Sequence, residues 1–248
     1  MKSSRFLTFL LALLLPGCAG VSGQKENTAP PLPVPCKVAC LGDSITEGMG
    51  VYDPENLWIN VLARDELISS VQNCGISGTT VAVPSEEGYG PWAYVNRYRE
   101  IESDADLIIV FGGTNDYGHD VPLGEPDDTN PGTFYGALNT LAAGLSADYP
   151  SSRLLFLTPL QRDDRLLGSP TTTPYNYAGV TMEDYCGAIK KVCEKNGIEM
   201  LDLYHLEGMR LDDPTFSDFF DDGLHPNDQG SAFLGLAILK KIREMAGR

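Results

Sequence analysis

The sequence predicts an α/β fold, a single doubly wound three-layer α/β/α domain around a parallel sheet of about five strands. Short, continuously apolar segments alternate along the chain with segments whose apolar residues recur at helical spacing, and no internal repeat interrupts the alternation. Strands that are buried on both faces are typically apolar throughout, as these segments are. With 248 residues and 42% hydrophobic content, the chain has enough apolar material for one sizeable core.

The first half of the predicted domain is a βαβ unit followed by the most apolar strand. Residues 38–40 are interpreted as the first strand and residues 71–74 as the second. The helix between them is indicated by four apolar side chains: Trp58, Val61, Leu62 and Leu67. Residues 107–111, which read LIIVF, predict the third strand because they contain no polar side chain.

The second half continues the alternation of helix and strand. Apolar faces predict two helices, one with Phe134, Leu138, Leu141 and Leu145 and one with Met182, Tyr185, Cys186, Ile189, Val192 and Cys193. Strands are predicted at 154–157 and 198–201, and the last helix includes residues 233–239. Two long loops, at 117–132 and 159–179, leave the carboxyl ends of strands, where open α/β sheets bind their ligands.

Four short motifs lie at the ends of these elements. They are GDS at residues 42–44, NCGISG at 73–78, GGTND at 112–116 and DGLHP at 222–226. In this order they resemble the sequence blocks of the GDSL, or SGNH, family of serine hydrolases, in which the serine of the first block is the nucleophile. Four matched blocks are a far more specific signal than the GDS tripeptide alone. The resemblance implies a flavodoxin-like SGNH-hydrolase fold and an acyl hydrolase that uses Ser44.

Ser44, His225 and Asp222 are the candidate catalytic residues. A serine hydroxyl becomes a good nucleophile when a neighbouring base takes its proton, and a carboxylate holds that base in one tautomer. The i, i+3 spacing of Asp222 and His225 allows both side chains to lie on one side of a turn. Asp221 is the alternative carboxylate. The other two histidines are interpreted as loop or surface residues: His119 and His205.

Ester hydrolysis also requires donors aimed at the negative charge that develops on the carbonyl oxygen. The family resemblance assigns this oxyanion hole to the backbone N–H groups of Ser44 and Gly75 and to the side-chain amide of Asn115. These groups follow consecutive strands, whose carboxyl ends should meet at one edge of the sheet. The glycine at position 75 is interpreted as making room for the backbone to approach a ligand.

Several other classes of function are disfavoured. No Gly-x-Ser-x-Gly motif occurs, which argues against the α/β-hydrolase architecture. No glycine-rich phosphate loop or metal-ligand cluster occurs either, so we expect neither a cofactor nor a bound metal. The formal net charge of -16 disfavours nucleic acid and anionic surfaces as partners. The expected partner is a small-molecule or polysaccharide ester substrate.

The N-terminus has the features of an export signal. A start with two basic residues precedes an apolar segment, residues 6–15, that is too short to span a bilayer. Residues 15–18, LPGC, resemble a bacterial lipobox, which implies a signal peptide at 1–17 and membrane attachment only through a lipidated Cys18. The alternative is cleavage after Ala19, which would release a soluble secreted protein.

Domain boundaries are expected on both sides of a proline-rich segment. Residues 18–35 contain the lipid-anchored cysteine and four prolines with little apolar content, and they are interpreted as a tether. The hydrolase domain is expected at 36–248. Together these features predict an exported, lipid-anchored protein of the cell envelope.

The cysteines other than Cys18 are expected to be buried free thiols: Cys36, Cys40, Cys74, Cys186 and Cys193. Cys186 and Cys193 lie seven residues apart in a predicted helix, which separates them by about 10 Å along its axis, beyond the reach of a disulfide. A disulfide between Cys40 and Cys74 remains open, since these residues belong to neighbouring predicted strands.

These observations together predict a serine esterase that hydrolyses short-chain acyl esters, acetyl foremost, on carbohydrates through an acyl-enzyme on Ser44. The two long loops are rich in polar and turn residues, and their tyrosines offer surfaces on which a sugar can stack: Tyr117, Tyr175 and Tyr177. The alternatives are a lysophospholipase or an arylesterase on the same machinery, or a non-catalytic binding lipoprotein.

Overall fold

Five parallel strands form the central sheet of the computed structural model, which describes residues 31–86, 88, 90–168 and 174–248. The strands are β1 (Cys36–Gly42), β2 (Ile68–Gly75), β3 (Leu107–Phe111), β4 (Arg153–Leu157) and β5 (Glu199–Leu201). Their order across the sheet is β2-β1-β3-β4-β5. This is the flavodoxin-like order, in which the ligand site lies beyond the carboxyl ends of β1 and β3. The predicted α/β class is confirmed.

The sheet is buried on both faces, and β3 shows why its strands are apolar throughout. All five residues of β3 are buried. Leu107, Ile109 and Phe111 contact the core on one face, while Ile108 and Val110 contact the core on the other. A polar side chain at any of these positions would lose its water without gaining a partner.

Eight α-helices occur among the described residues. They are α1 (Ser44–Glu47), α2 (Trp58–Ala63), α3 (Tyr94–Arg97), α4 (Thr114–Gly118), α5 (Phe134–Asp148), α6 (Met182–Asn196), α7 (Phe216–Phe219) and α8 (Asp228–Met245). α2 and α8 pack together over one face of the sheet, and α5 and α6 over the other. The long helices start at side-chain caps, which are Thr133 for α5, Thr181 for α6 and Asn227 for α8.

Two predicted boundaries in the first half differ from the structure. The helix expected to reach Leu67 ends at Ala63, and the second strand starts at Ile68 instead of residue 71. Asp65 accounts for both shifts, because its side chain accepts a hydrogen bond from Leu67 N–H at 3.1 Å and its carbonyl accepts one from Ile68 N–H. Such side-chain bonds to nearby backbone groups end a helix.

The compact unit of the described residues includes the segment before Cys36 and comprises Pro31–Arg248. Leu32, assigned to the tether on the basis of its proline-rich surroundings, is buried in the core, and its N–H donates to the carbonyl of Met245 over 2.9 Å. The predicted signal peptide at 1–17, Cys18 and the rest of the tether up to residue 30 lie outside the described residues.

All five cysteines in the described part of the chain are free and buried, as predicted: Cys36, Cys40, Cys74, Cys186 and Cys193. The pair left open, Cys40 and Cys74, lies on opposite faces of the sheet, since Cys40 belongs to the core over one face and Cys74 to the core over the other. Burial raises the pKa of the Cys36 and Cys74 thiols to about 11, so these groups are protonated and unreactive near neutral pH.

The described residues contain neither a membrane-spanning helix nor a cluster of metal ligands. None of the described helices combines the length and the apolar character needed to cross a bilayer. Across the same part of the chain, no group of three or more His, Cys, Asp or Glu side chains is arranged to hold a metal ion.

Candidate active site

Ser44 is the first residue of α1, immediately beyond the carboxyl end of β1. Asp43 caps this one-turn helix by accepting a hydrogen bond from Ile45 N–H at 3.0 Å. The chain reverses so tightly that a Cβ on Gly42 would lie 2.0 Å from Thr46 Oγ1. The helix ends at Gly48, whose positive φ of 118° allows its N–H to bond to the Ser44 carbonyl. The GDS sequence therefore builds a turn that holds Ser44 at the edge of the sheet.

Ser44, His225 and Asp222 form a continuous chain of hydrogen bonds. Ser44 Oγ lies 2.9 Å from His225 Nε2, and His225 Nδ1 lies 2.7 Å from Asp222 Oδ2. The ring of His225 is mostly buried, whereas the carboxylate of Asp222 is exposed to water. This geometry allows His225 to accept the Ser44 proton while Asp222 holds the other ring nitrogen protonated.

The local sequence of the last motif fixes the orientation of Asp222. Its Oδ1 accepts hydrogen bonds from Leu224 N–H and His225 N–H, both at 2.8 Å, while Oδ2 contacts the ring. Burial alone would raise the pKa of Asp222, but these hydrogen bonds outweigh it and hold the pKa below its ordinary value. The rival Asp221 instead accepts a bond from Asn227 at the start of α8.

Asn115 and the backbone N–H of Ser44 lie at the same edge of the sheet, and each offers a donor hydrogen that has no partner among the described residues. Asn115 is the second residue of α4, which follows β3, and its Nδ2 donates to the carbonyl of Thr79 over 2.9 Å. An amide nitrogen carries two hydrogens, so one remains for a ligand. Within the described part of the chain, the N–H of Ser44 has no hydrogen-bond partner.

Gly75 does not fit the role predicted for it. Its N–H donates to Asn73 Oδ1 over 2.8 Å and is therefore occupied. The interpretation of its missing side chain is also corrected, because a Cβ at Gly75 would lie 2.3 Å from Glu47 N. Glycine is needed there so that α1 can pack against the end of β2, and not for the approach of a ligand.

Gly78 is the better placed donor, although it was not among the predicted site residues. It has a positive φ of 76°, and a Cβ there would meet no atom within 4 Å. Its N–H has no partner among the described residues, and the next residue, Thr79, accepts the hydrogen bond from Asn115. The signal was present as the second glycine of the NCGISG motif.

His205 is exposed, as expected of a surface residue, but it also has a carboxylate partner. Asp202 stands three residues before it, and His205 Nδ1 lies 2.8 Å from Asp202 Oδ2, so the pair reproduces the contact between His225 and Asp222. The pair borders a cavity of about 190 Å³ that Cys186 and Lys190 also line. His119, the third histidine, contacts Glu86 at 3.3 Å. The ring that reaches Ser44 is that of His225.

The sequence profile of the GDSL-like lipase/acylhydrolase family matches residues 40–233, which include all four motifs. The chain belongs to this family. Its membership makes the protein a serine hydrolase. The five-strand sheet, the GDS turn and the DGLHP motif are thus those of a GDSL-family hydrolase.

Solved structures similar to this GDSL-family chain cover most of its length. A protein from Lactobacillus plantarum is 33% identical, with a TM-score of 0.74 over 84% of this chain and 97% of that one. A possible lipase from Chitinophaga pinensis is 21% identical, with a TM-score of 0.66 over 85% and 98%. A carbohydrate acetylesterase family member from Sinorhizobium meliloti is 19% identical, with a TM-score of 0.57 over 86% and 100%. No curated protein gives a significant match.

Two buried carboxyl groups lie beneath the site of this GDSL-family hydrolase. Burial raises the pKa of Asp43 to about 7, although the hydrogen bond from Ile45 and the charge of Arg97 oppose the shift. Burial likewise raises the pKa of Asp116 to about 6, against hydrogen bonds from the N–H groups of Ala82 and Val81. Both groups therefore ionise at a cost in the folded protein.

Between about pH 4 and pH 7, the raised pKa of Asp43 should make the free energy of unfolding decrease as pH rises, and Asp43→Asn should reduce this decrease. The unfolded carboxyl has a pKa of about 3.9, so in this range it ionises more readily than the folded one, and the free energy of unfolding decreases as pH rises through the folded pKa of about 7. Asparagine still caps α1 but does not ionise. Urea unfolding of both proteins across this range tests the expectation, and a pH-independent difference between their free energies of unfolding contradicts it.

Proposed function

We propose that this GDSL-family protein is a serine esterase that hydrolyses short acyl esters, acetyl foremost, on carbohydrate hydroxyls. The observation that carries the proposal is the chain of hydrogen bonds from Ser44 through His225 to Asp222. A binding protein without turnover has no need for a serine hydroxyl 2.9 Å from an imidazole whose tautomer is set by a carboxylate.

In the proposed mechanism, Ser44 Oγ attacks the ester carbonyl as His225 Nε2 takes its proton. Asp222 stabilises the resulting imidazolium through Nδ1–H. The tetrahedral intermediate collapses, His225 returns the proton to the leaving alcohol, and the acyl group remains on Ser44. Water then attacks the acyl-enzyme as His225 takes a proton from it. Collapse of the second intermediate releases the acid and restores Ser44.

The oxyanion hole is proposed to consist of the N–H of Ser44, the N–H of Gly78 and the amide of Asn115. All three have a donor hydrogen without a partner in the described residues. Gly78 replaces Gly75 in this role because the Gly75 N–H already bonds to Asn73. Donors that are held in place before the reaction stabilise the charge with no reorganisation.

Ser44→Ala and His225→Ala should each lower turnover at least about 10³-fold, and Asn115→Ala about 10²-fold or more, as losses of a nucleophile, a base and an oxyanion donor do. The assay is hydrolysis of p-nitrophenyl acetate together with labelling by a fluorophosphonate probe. Near-normal rates of hydrolysis or near-normal labelling in the Ser44 variant would contradict the mechanism.

The assignment of Asp222 as the carboxylate is tested by Asp222→Asn, with Asp221→Asn as its matched control. Only the second should impair turnover strongly, because only Asp222 contacts the ring of His225, while Asp221 contacts Asn227. A larger loss in the Asp221 variant contradicts the assignment of the carboxylate.

Exposed tyrosines on the loop after β4 support a carbohydrate as the ester's carrier. Tyr175 and Tyr177 are exposed, Tyr177 by 85%, and an exposed ring offers a surface for stacking on a sugar. Tyr117, expected to join them, is buried, and its hydroxyl donates to Asp164 over 3.3 Å. The likeness to the acetylesterase family member from Sinorhizobium meliloti, at 19% identity, concerns the fold alone.

A second candidate, an esterase directed at lipids, is favoured by apolar side chains beside the site. Leu166 is 61% exposed, and its Cβ lies 3.1 Å from the position that a Cβ on Gly223 would take, within the last motif. Leu167 is partly exposed next to it. This loop was expected to be polar, and its apolar surface beside the motif of His225 corrects that expectation.

Efficiency should be highest for acetyl esters and should fall with longer acyl chains. The measurement is kcat/KM for p-nitrophenyl esters from acetyl to octanoyl, with acetate release from acetylated xylan or pectin. Rising efficiency toward octanoyl without acetate release overturns the carbohydrate assignment. In that case Leu166→Ser should lower octanoyl hydrolysis and the control Leu236→Ser, on the exposed face of α8, should not.

We also propose that the protein is exported and anchored to the cell envelope through a lipidated Cys18. The lipobox-like residues 15–18 support this address. Wild type should partition with membranes and Cys18→Ser should remain in the aqueous fraction. A mature N-terminus at Gly20, found by mass spectrometry, would decide for a soluble secreted form.

A further inference from the structure

One short helix contacts the ends of all three strands that lead to the candidate site. α3 spans Tyr94–Arg97, and the side chains at both of its ends are buried. The Tyr94 hydroxyl donates to the carbonyl of Phe111, the last residue of β3, over 2.9 Å. The Arg97 guanidinium donates to the carbonyls of Gly42, at the end of β1, over 2.7 Å and of Cys74, near the end of β2, over 2.8 Å.

These strand ends lead directly to the groups proposed for the oxyanion hole. β1 leads to Ser44, β2 to Gly78 and β3 to Asn115. Arg97 also reaches past the end of β2, because its Nη2 lies 3.3 Å from Oγ1 of Thr79. The carbonyl of Thr79 in turn accepts the hydrogen bond from Asn115. The Arg97 guanidinium thus bonds directly to the strand ends that precede Ser44 and Gly78. It is linked to Asn115 through Thr79.

The contacts of Arg97 use the full donor capacity of its side chain. Nε donates to the carbonyl of Trp92 over 3.0 Å, and Nη1 forms an ion pair with Glu100 besides its bond to Cys74. With the two bonds from Nη2, all five N–H donors of the guanidinium are engaged. The side chain is only 6% exposed. A lysine has three donors on a single atom and cannot match this planar arrangement.

We infer that Arg97, assisted by Tyr94 on the same helical turn, is a positioning residue that holds the oxyanion hole in its reactive geometry. The inference rests on the proposed esterase function. Arg97 does not touch the reacting atoms. It acts by holding the carbonyls at the ends of β1 and β2, and the segments that carry the oxyanion donors begin there. Oxyanion donors work because they are fixed in place, and a misplacement of about 1 Å can cost about 10²-fold in rate.

The test compares Arg97→Lys and Tyr94→Phe with the control Arg99→Gln. Arg99 lies two residues after Arg97, its side chain is 68% exposed, and it pairs with Asp148. Kinetics with p-nitrophenyl acetate are normalised to active sites titrated by a fluorophosphonate, so that unfolded protein does not count. Arg97→Lys should lower kcat about 10- to 100-fold with KM within about threefold, since a displaced donor weakens the transition state and not substrate binding. Tyr94→Phe should give a smaller loss in kcat, and Arg99→Gln should match wild type.

A boronic acid inhibitor separates positioning from a purely structural role. Its tetrahedral adduct with Ser44 places an oxygen in the oxyanion hole, so its inhibition constant should rise in parallel with the loss in kcat. Values of kcat per titrated site and of the inhibition constant within twofold of wild type in Arg97→Lys and Tyr94→Phe would overturn the inference. If Arg97→Lys fails to fold, Tyr94→Phe decides, because it removes a single hydroxyl. Wild type that neither turns over ester nor reacts with the fluorophosphonate refutes the proposed function instead.

Discussion

The site depends on one hydrogen bond between residues 181 positions apart, from Ser44 to His225. Its 2.9 Å length is set by the packing of the chain after α1 against the start of α8. Asp228 Oδ1 accepts hydrogen bonds from the N–H groups of Tyr52 and Asp53, and these bonds fix the two segments together. Gly50, with a φ of 87°, permits the contact, since a Cβ there would lie 2.8 Å from the carbonyl of Pro226. These contacts between the segment after α1 and the start of α8 hold Ser44 and His225 close to each other.

Beneath this bond lies a layer of buried polar groups instead of the apolar core found elsewhere along the sheet. Asp43, Arg97 and Asp116 are all buried. Burying such groups costs free energy unless each is hydrogen-bonded, and each of them is. The bonds of Asp116 to Val81 and Ala82 fix the segment that follows Thr79. These buried polar groups stabilise the fold less than apolar packing would, but they hold the backbone at the edge of the sheet rigidly. Such a departure from core packing is typical of functional sites.

Much of the fold was predictable because apolar segments report burial directly. The strand β3 and the helices α5 and α6 lie where the periodicity placed them. Several of the failures have a different cause, since they concern contacts between residues far apart in sequence. Gly75 is one example: a Cβ there would lie 2.3 Å from Glu47 N, so glycine is needed for the packing of α1 against β2, and the motif alone does not show this. Likewise, nothing in the local sequence of Arg97 distinguishes it from the exposed Arg99 nearby.

By itself, the sequence determined the α/β class, the family, and the positions of Ser44, Asp222 and His225, because these follow from apolar periodicity and from motifs whose residues interact within one turn. The contact between Asp222 and His225 is of this local kind, as two backbone N–H groups orient the carboxylate from within the same motif. Only the tertiary structure decided that Gly75 makes room for α1, that Tyr117 is buried, and that Arg97 lies beneath three strand ends. The physical reason is that a hydrogen bond depends on distances of a few tenths of an ångström, and between distant segments these distances are set by packing.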